Sequence, residues 1–306
     1  MRYFASITLL LPFVWTCISP TQAQPQANIK KPPVIDMHLH AFTASSQPNP
    51  VTGKPSAYTT DNALLQATLA AMERYNIVMA VVSGPLNLVK QWRDAAPSRF
   101  ICSPAYPLYN ENINVDFLRA EYLAGRLGAF GEVLAQLAGL SPSDPWLEPY
   151  LKLCEELDVP VGIHTGFPPP GITYSSCPKN RARLGSPLLV EEALVRHPKL
   201  RVYIMHAGYP FLEDTIALMR AHPQVFAGLG GINWDLPQKE FHEYLRRLMQ
   251  AGFGKRLMFG SDQMRWPETI GMAVKAIESA PFLTDEQKRD IFYNNAVRFL
   301  RLKEED

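Results

Sequence analysis

Cysteine is scarce in this chain, with four in 306 residues and no Cys-x-x-Cys pair. A disulfide-stapled scaffold is therefore excluded. Beyond the first residues only Cys102, Cys154 and Cys177 remain, which allows one disulfide and requires none. Charge of one sign is equally lacking. Thirty basic residues stand against 29 acidic ones, for a net charge of +1, and no run of like charge is long enough to make a tail. Such a balance carries no electrostatic footprint for nucleic acid and points to small-molecule partners. No internal repeat, composition shift or flexible linker divides residues 33–302, so one domain is expected there, ahead of a polar tail at 303–306.

Long apolar runs are missing except at the very start, where Met1-Arg2 is followed by apolar Phe4 to Val14 and then Cys17 to Ala23. This reads as a secretory signal over residues 1–23, ending in Thr21-Gln22-Ala23. A membrane anchor is the competing reading, but Ser6, Thr8 and Pro12 interrupt the stretch, which falls short of the roughly 20 residues a span needs. Acylation at Cys17 is poorly served by the preceding Val14-Trp15-Thr16. The expectation is a secreted or periplasmic protein with no stable membrane insertion after cleavage, and with an extended, proline-rich leader at 24–32. Its oligomeric state, homo-oligomer included, is left open.

From residue 33 onward short apolar runs alternate with helix-length segments, the pattern of a parallel α/β fold. Eight strands are expected: Pro33 to His38, Ile77 to Ser83, Phe100 to Tyr106, Gly128 to Val133, Val159 to His164, Val202 to His206, Val225 to Gly230 and Arg256 to Gly260. Amphipathic stretches such as Asp61 to Tyr75, Trp146 to Leu157, Pro187 to Arg196, Phe211 to Ala221 and Lys239 to Gly252 supply crossover helices. Thr284-Asp285-Glu286-Gln287 is a capping box that opens a final helix through Asn294 and beyond. Eight evenly spaced strands over this length favour a (β/α)8 TIM barrel over an open doubly wound sheet.

The metal-capable side chains fall where those strands end. Strand alternation puts Asp36, His38 and His40 on one side of the first strand. Glu132 closes the fourth strand, His164 the fifth and His206 the sixth, and Asp262 follows the eighth. In a barrel these points meet on one face. Taken singly each has an ordinary explanation: an ion-pair partner, a hydrogen-bonded core histidine, a capping aspartate. Together they form a donor set of imidazole and carboxylate that suits zinc first, with manganese, iron or cobalt as alternatives. By contrast His197 and His222, in His-Pro pairs after helices, and His242, within one, read as surface residues.

Asp36-Met37-His38-Leu39-His40, Gly131-Glu132-Val133, Gly162-Ile163-His164-Thr165-Gly166, Met205-His206-Ala207-Gly208 and Gly260-Ser261-Asp262 resemble the amidohydrolase superfamily. The resemblance is closest to its amidohydrolase-related branch, which includes the aminocarboxymuconate semialdehyde decarboxylase-like enzymes. It runs from Val34 to Leu302. It implies that His38, His40, His164 and Asp262 hold a catalytic ion, most simply one zinc. Asp262 would also move protons, and His206 would bind a second ion or polarise the substrate. Glu132 sits where relatives place a bridging carboxylate, so a second ion stays open, and Asp36 is expected to orient a neighbour. The implied reaction is hydrolysis of a carboxylic ester, lactone or amide by metal-activated water, with non-oxidative decarboxylation and an inactive binding protein as alternatives. Substrate-facing candidates, from loop position, are Tyr106, Tyr174, Arg181, Arg183, Tyr209, Asn233, Trp234 and Arg265.

Overall fold

The computed structural model describes residues 1, 32–107 and 113–303. Except for Met1 and Pro32, the expected export signal and leader lie outside the described residues, as does the tail beyond residue 303.

All eight expected strands are present: β1 (Val34–His40), β2 (Ile77–Gly84), β3 (Phe100–Pro104), β4 (Phe130–Val133), β5 (Val161–His164), β6 (Val202–Met205), β7 (Val225–Gly228) and β8 (Leu257–Met258). They pair in parallel and in chain order as two arcs, β1-β2-β3 and β4 through β8. The Gly128 N–H donates to the Cys102 carbonyl at 2.9 Å and the Tyr106 N–H to that of Glu132 at 2.9 Å, joining β3 to β4. On the other side the Met37 N–H donates to the Phe259 carbonyl at 3.0 Å and the His40 N–H to that of Gln263 at 2.9 Å, joining β1 to the chain after β8. The result is a closed (β/α)8 barrel. The eighth strand keeps only two residues of β7 pairing because the next five, Phe259 to Gln263, turn toward β1 instead.

Helices follow the strands: α1 (Asp61–Arg74), α2 (Leu86–Ala95), α3 (Val115–Leu123), α4 (Glu148–Glu156), α5 (Glu191–Arg196), α6 (Leu212–Ala221), α7 (Ile232–Asp235), α8 (Gln238–Gln250) and α9 (Glu268–Glu278). In α1 the Thr60 hydroxyl caps the Ala63 N–H at 3.2 Å, and the buried Leu64, Leu65, Thr68 and Met72 recur at helical spacing, which sets one face on the barrel. The expected helices at Trp146 and Pro187 begin as single 3-10 turns, Pro145–Leu147 and Pro187–Val190, with proline in the first turn. The Thr284 capping box forms as expected. The helix it opens is interrupted, however: α10 (Asp285–Arg289) passes through a π turn, Asp290–Asn294, into α11 (Asn295–Leu300). The Ile291 carbonyl inside that turn accepts from the Phe259 N–H at 2.8 Å, so the tail is stitched to the end of β8. Ala296 and Phe299 of α11 join Ile35, Met37, Val81, Tyr203, Met205 and Met258 in one apolar cluster.

The expectation of surface histidines needs correction. His197 is 5% exposed, with Nδ1 3.1 Å from Glu155 Oε2 and Nε2 2.9 Å from Glu148 Oε1. Its ring is the seam between α4 and α5, because two carboxylates on α4 offer it partners that water would otherwise provide. His222 and His242 are half-buried, bonded to Glu191 and to the Ala276 carbonyl.

The long loop after β1 is fastened to the loop after β8. Arg265 Nε donates to the Thr43 carbonyl and Trp266 Nε1 to the Gln47 carbonyl, each at 3.0 Å. In return the Ser56 hydroxyl donates to the Arg265 carbonyl at 3.1 Å, and Asn49 Nδ2 to Glu268 Oε1 at 3.0 Å.

Candidate metal centre

The strand ends bring His38, His40, Glu132, His206 and Asp262 into contact, all buried. His38 Nε2 lies 3.1 Å from His40 Nε2, 3.3 Å from Asp262 Oδ1 and 3.6 Å from Glu132 Oε2. His40 Nε2 lies 3.1 Å from Asp262 Oδ1 and 3.4 Å from Glu132 Oε2. Ligands on one zinc ion lie about 3.3–3.6 Å apart, and the three distances among His38, His40 and Asp262 span 3.1–3.3 Å. The donor set therefore fits a small divalent cation in both chemistry and size. Two groupings have all their ligand atoms within 4.8 Å of one another, His38–His40–Asp262 and His38–Glu132–His206; they share His38, and the predicted ligand His164 belongs to neither.

Backbone geometry aims these groups. Asp262 takes a left-handed conformation (φ 49°), and His206 and Ala207 do likewise (φ 57° and 47°), which is uncommon away from glycine. Gly231 has φ +78°, and a Cβ there would come within 2.8 Å of both Asp262 Oδ2 and His206 Nδ1. Only a bare α-carbon lets the β7 loop approach the cluster so closely. Asp36 stands behind it, its Oδ1 accepting from the N–H groups of His38 (3.0 Å) and Ser261 (2.9 Å).

Hydrogen bonds fix several ring orientations. His206 Nδ1 is 2.9 Å from the Gly230 carbonyl. A carbonyl can only accept, so Nδ1 carries the proton, and in the neutral ring Nε2 keeps its lone pair. His164 Nδ1 sits 3.0 Å from Gln136 Oε1, and its ring lies edge-on to His206 with centroids 4.8 Å apart. His40 Nδ1 meets the Ser83 hydroxyl at 3.1 Å, and its ring stacks on Phe42 at 4.6 Å and 10°.

The electrostatics are those of a closely coupled buried cluster. Burial lowers the His164 pKa to about 4, so the ring is neutral near pH 7. Burial also works against a charged His38, but the Asp262 and Glu132 carboxylates outweigh it and raise the value to about 9. In the same way burial pushes Glu132 and Asp262 upward, and the neighbouring histidines, His38 first, overcome it and hold both below the ordinary carboxylate range. Burial raises Asp36 to about 6.

The loop candidates separate into groups. Asn233 and Trp234 are buried and tie α7 to the end of β8, Asn233 Nδ2 donating to the Gly260 carbonyl at 2.9 Å and the Trp234 indole to that of Ser261 at 2.6 Å. Arg265 serves the inter-loop strap, with its guanidinium 5.0 Å from the Phe42 ring centre. Tyr174 is 95% exposed, and the exposed Arg181 donates to the Pro178 and Asn180 carbonyls. No hydrogen bond or ion pair joins either to the cluster among the described residues. Arg183 is exposed, Tyr106 is fully buried among Phe130, Trp146 and Tyr150, and Tyr209 bonds Glu240 through its hydroxyl. Gln136, Ser83, Phe42 and Gly231 are the neighbours that sequence reasoning did not single out. Their only local signal is proximity to a strand end.

The amidohydrolase family model matches residues 35–302. No protein of curated function matches the chain. Among solved structures, a probable 2-pyrone-4,6-dicarboxylic acid hydrolase from Acinetobacter baumannii is 16% identical over 88% of this chain and 99% of its own, with a TM-score of 0.64. A 2,6-dihydroxybenzoate decarboxylase from Rhizobium is 14% identical over 90% and 99%, with a TM-score of 0.58. A 5-carboxyvanillate decarboxylase from Sphingomonas paucimobilis is 17% identical over 77% and 82%, with a TM-score of 0.53. At these identities the likeness is one of fold, whereas the family match spans the whole barrel with every residue of the cluster inside it. The chain belongs to the amidohydrolase family.

Proposed function

We propose that the protein is a metal-dependent hydrolase that cleaves a carboxylic ester, lactone or amide, with one zinc ion held by His38, His40, Asp262 and His164 and with Glu132 beside it. The observation that carries this is the buried triad His38, His40 and Asp262, whose ligand atoms lie 3.1–3.3 Å from one another. No arginine or lysine among the described residues pairs with either carboxylate. Bound there, the ion would lower the pKa of water toward 7 and polarise a carbonyl.

The protein's own groups divide the remaining work. Asp262 presents Oδ1 to His38 and His40, while Oδ2 lies on the His206 side, 4.0 Å from its Nδ1. One oxygen can thus serve the ion while the other accepts a proton from attacking water and returns it to the leaving group. His206 keeps Nδ1 on the Gly230 carbonyl, which leaves Nε2 to bind or accept. This favours a ligand or proton-acceptor role over polarising the substrate by donating a hydrogen bond from Nε2. Burial of the whole cluster excludes bulk water and strengthens each of these interactions.

Decarboxylation is the second reading, favoured by the two decarboxylases of similar fold. A zinc-loaded screen against lactones, esters, amides and carboxylated aromatics, with products identified, separates the two. Release of acid with water consumed supports the hydrolase. Release of carbon dioxide from an aromatic acid, with no acyl bond opened, overturns it. The same reading takes residues 1–23 as an export signal, which cell fractionation of the full chain tests.

A further inference from the structure

Gln136 lies just after β4, fully buried, and neither the ligand set nor the proton transfers above use it. Its side-chain amide spans two elements. Nε2 donates to the Gly166 carbonyl at 3.0 Å, and Oε1 faces His164 Nδ1 at 3.0 Å. The first contact decides the second, because a carbonyl oxygen only accepts, so the amide nitrogen has to point at Gly166. Oε1 is then a pure acceptor. His164 Nδ1 must be the donor, and the lone pair of the neutral ring is left on Nε2, on the far side from Gln136.

The surroundings allow the amide no alternative. Gly166 receives the amide while its own N–H donates to the Gly185 carbonyl at 2.7 Å. A Cβ on Gly185 would come within 2.9 Å of Gln136 Nε2 as well as against the Gly166 carbonyl. Close approach of three segments, after β4, after β5 and before α5, thus pins a single neutral side chain at full burial. A buried amide left unpaired is costly, so the amide is held by what it bonds.

We propose that Gln136 is a positioning residue that locks His164 as the Nδ1–H tautomer and so keeps its Nε2 open as a metal ligand. The proposal rests on the metal-centre reading for its consequence, but the tautomer itself is a property of the metal-free protein. Groups of this kind behind a ligating histidine change metal affinity by about 10–100-fold.

The test uses full-length protein labelled with 15N-histidine and stripped of metal, with two-bond 1H–15N spectra recorded at neutral pH and His164 assigned by its loss in His164→Gln. The expected result is a protonated Nδ1 in the wild type and a mixed or inverted tautomer in Gln136→Leu. Zinc titration should then show a dissociation constant about 10–100-fold weaker for Gln136→Leu. A proton on Nε2 in the wild type overturns the proposal whatever the variants do, as does a folded Gln136→Leu with wild-type tautomer and zinc affinity. If the tautomer follows Gln136 but neither protein takes up stoichiometric zinc, the lock stands and the metal-centre reading falls.

Discussion

Asp262 is bound to His38 twice: its backbone N–H donates to the His38 carbonyl at 2.6 Å, and its Oδ1 lies 3.3 Å from His38 Nε2. The first of these bonds helps close the barrel between β1 and the chain after β8, and the second assembles the site. Asp262 adopts φ 49° to make both, a conformation costing roughly 1–2 kcal/mol for most residues and least for Asp and Asn. Fold and chemistry therefore share one residue at the seam.

Asp262→Asn keeps the shape and tolerates the left-handed backbone, so the barrel should still close. With no carboxylate to move protons, kcat/KM for the best substrate found is expected to fall by about 10²–10⁴-fold. Steady-state kinetics with a circular-dichroism melt checks this. Activity within threefold of wild type would remove Asp262 from the proton-transfer role.

Gly231→Ala should injure the site more than the fold. The added methyl meets Asp262 Oδ2 and His206 Nδ1, and displacement of such groups by about 1 Å costs on the order of 10²-fold in rate. Gly171→Ala is the control, since it has a similar φ of +72° but nothing within 4 Å of the new atom. Comparable kcat losses in both variants would mean that backbone strain, and not the clash, is responsible.

His38 supplies a pH signature. In the metal-free protein its folded value of about 9 exceeds the ordinary 6.5 because the Asp262 and Glu132 carboxylates outweigh burial. The charged ring therefore adds stability that is full below pH 6.5 and lost as pH climbs toward 9. Metal-free wild type should melt at progressively lower temperature across that window, and His38→Ala should show a flatter profile. Zinc requires the neutral ring, so binding at pH 7.5 should release a proton, visible by calorimetry in buffers of different ionisation enthalpy. Binding enthalpy independent of buffer would contradict it.

His197→Ala probes the fold away from the cluster. Removing the ring leaves Glu148 and Glu155 without their shared partner between α4 and α5, with an expected loss of about 1–3 kcal/mol and kcat unchanged. Denaturant melts alongside kinetics test this, and a substantial change in kcat at unchanged stability would refute the separation.

Much of this molecule could be read from its sequence because the signals are local. Most strands are short apolar runs with a glycine or a metal-capable residue at or beside their ends, so their position and the direction of their chemistry appear together. His38, His40, Glu132, His206 and Asp262 were found for that reason. Gln136 was not, since its partners Gly166 and Gly185 are 30 and 49 residues away along the chain. His197 misled for the opposite reason. A His-Pro pair after a helix looks solvent-facing until the glutamates of a neighbouring helix are placed against it. The π turn in the tail and the two-residue β8 depend on one another through the Phe259–Ile291 hydrogen bond, a long-range contact that no periodicity records.

The strap between the loops after β1 and β8 sets how the mouth of the barrel can breathe. With Thr43, Gln47, Asn49 and Ser56 on one loop bonded to Arg265, Trp266 and Glu268 on or just beyond the other, neither can swing alone without exposing several donors and acceptors at once. On that side, substrate meets a single rigid jamb, and any door has to hang elsewhere on the rim.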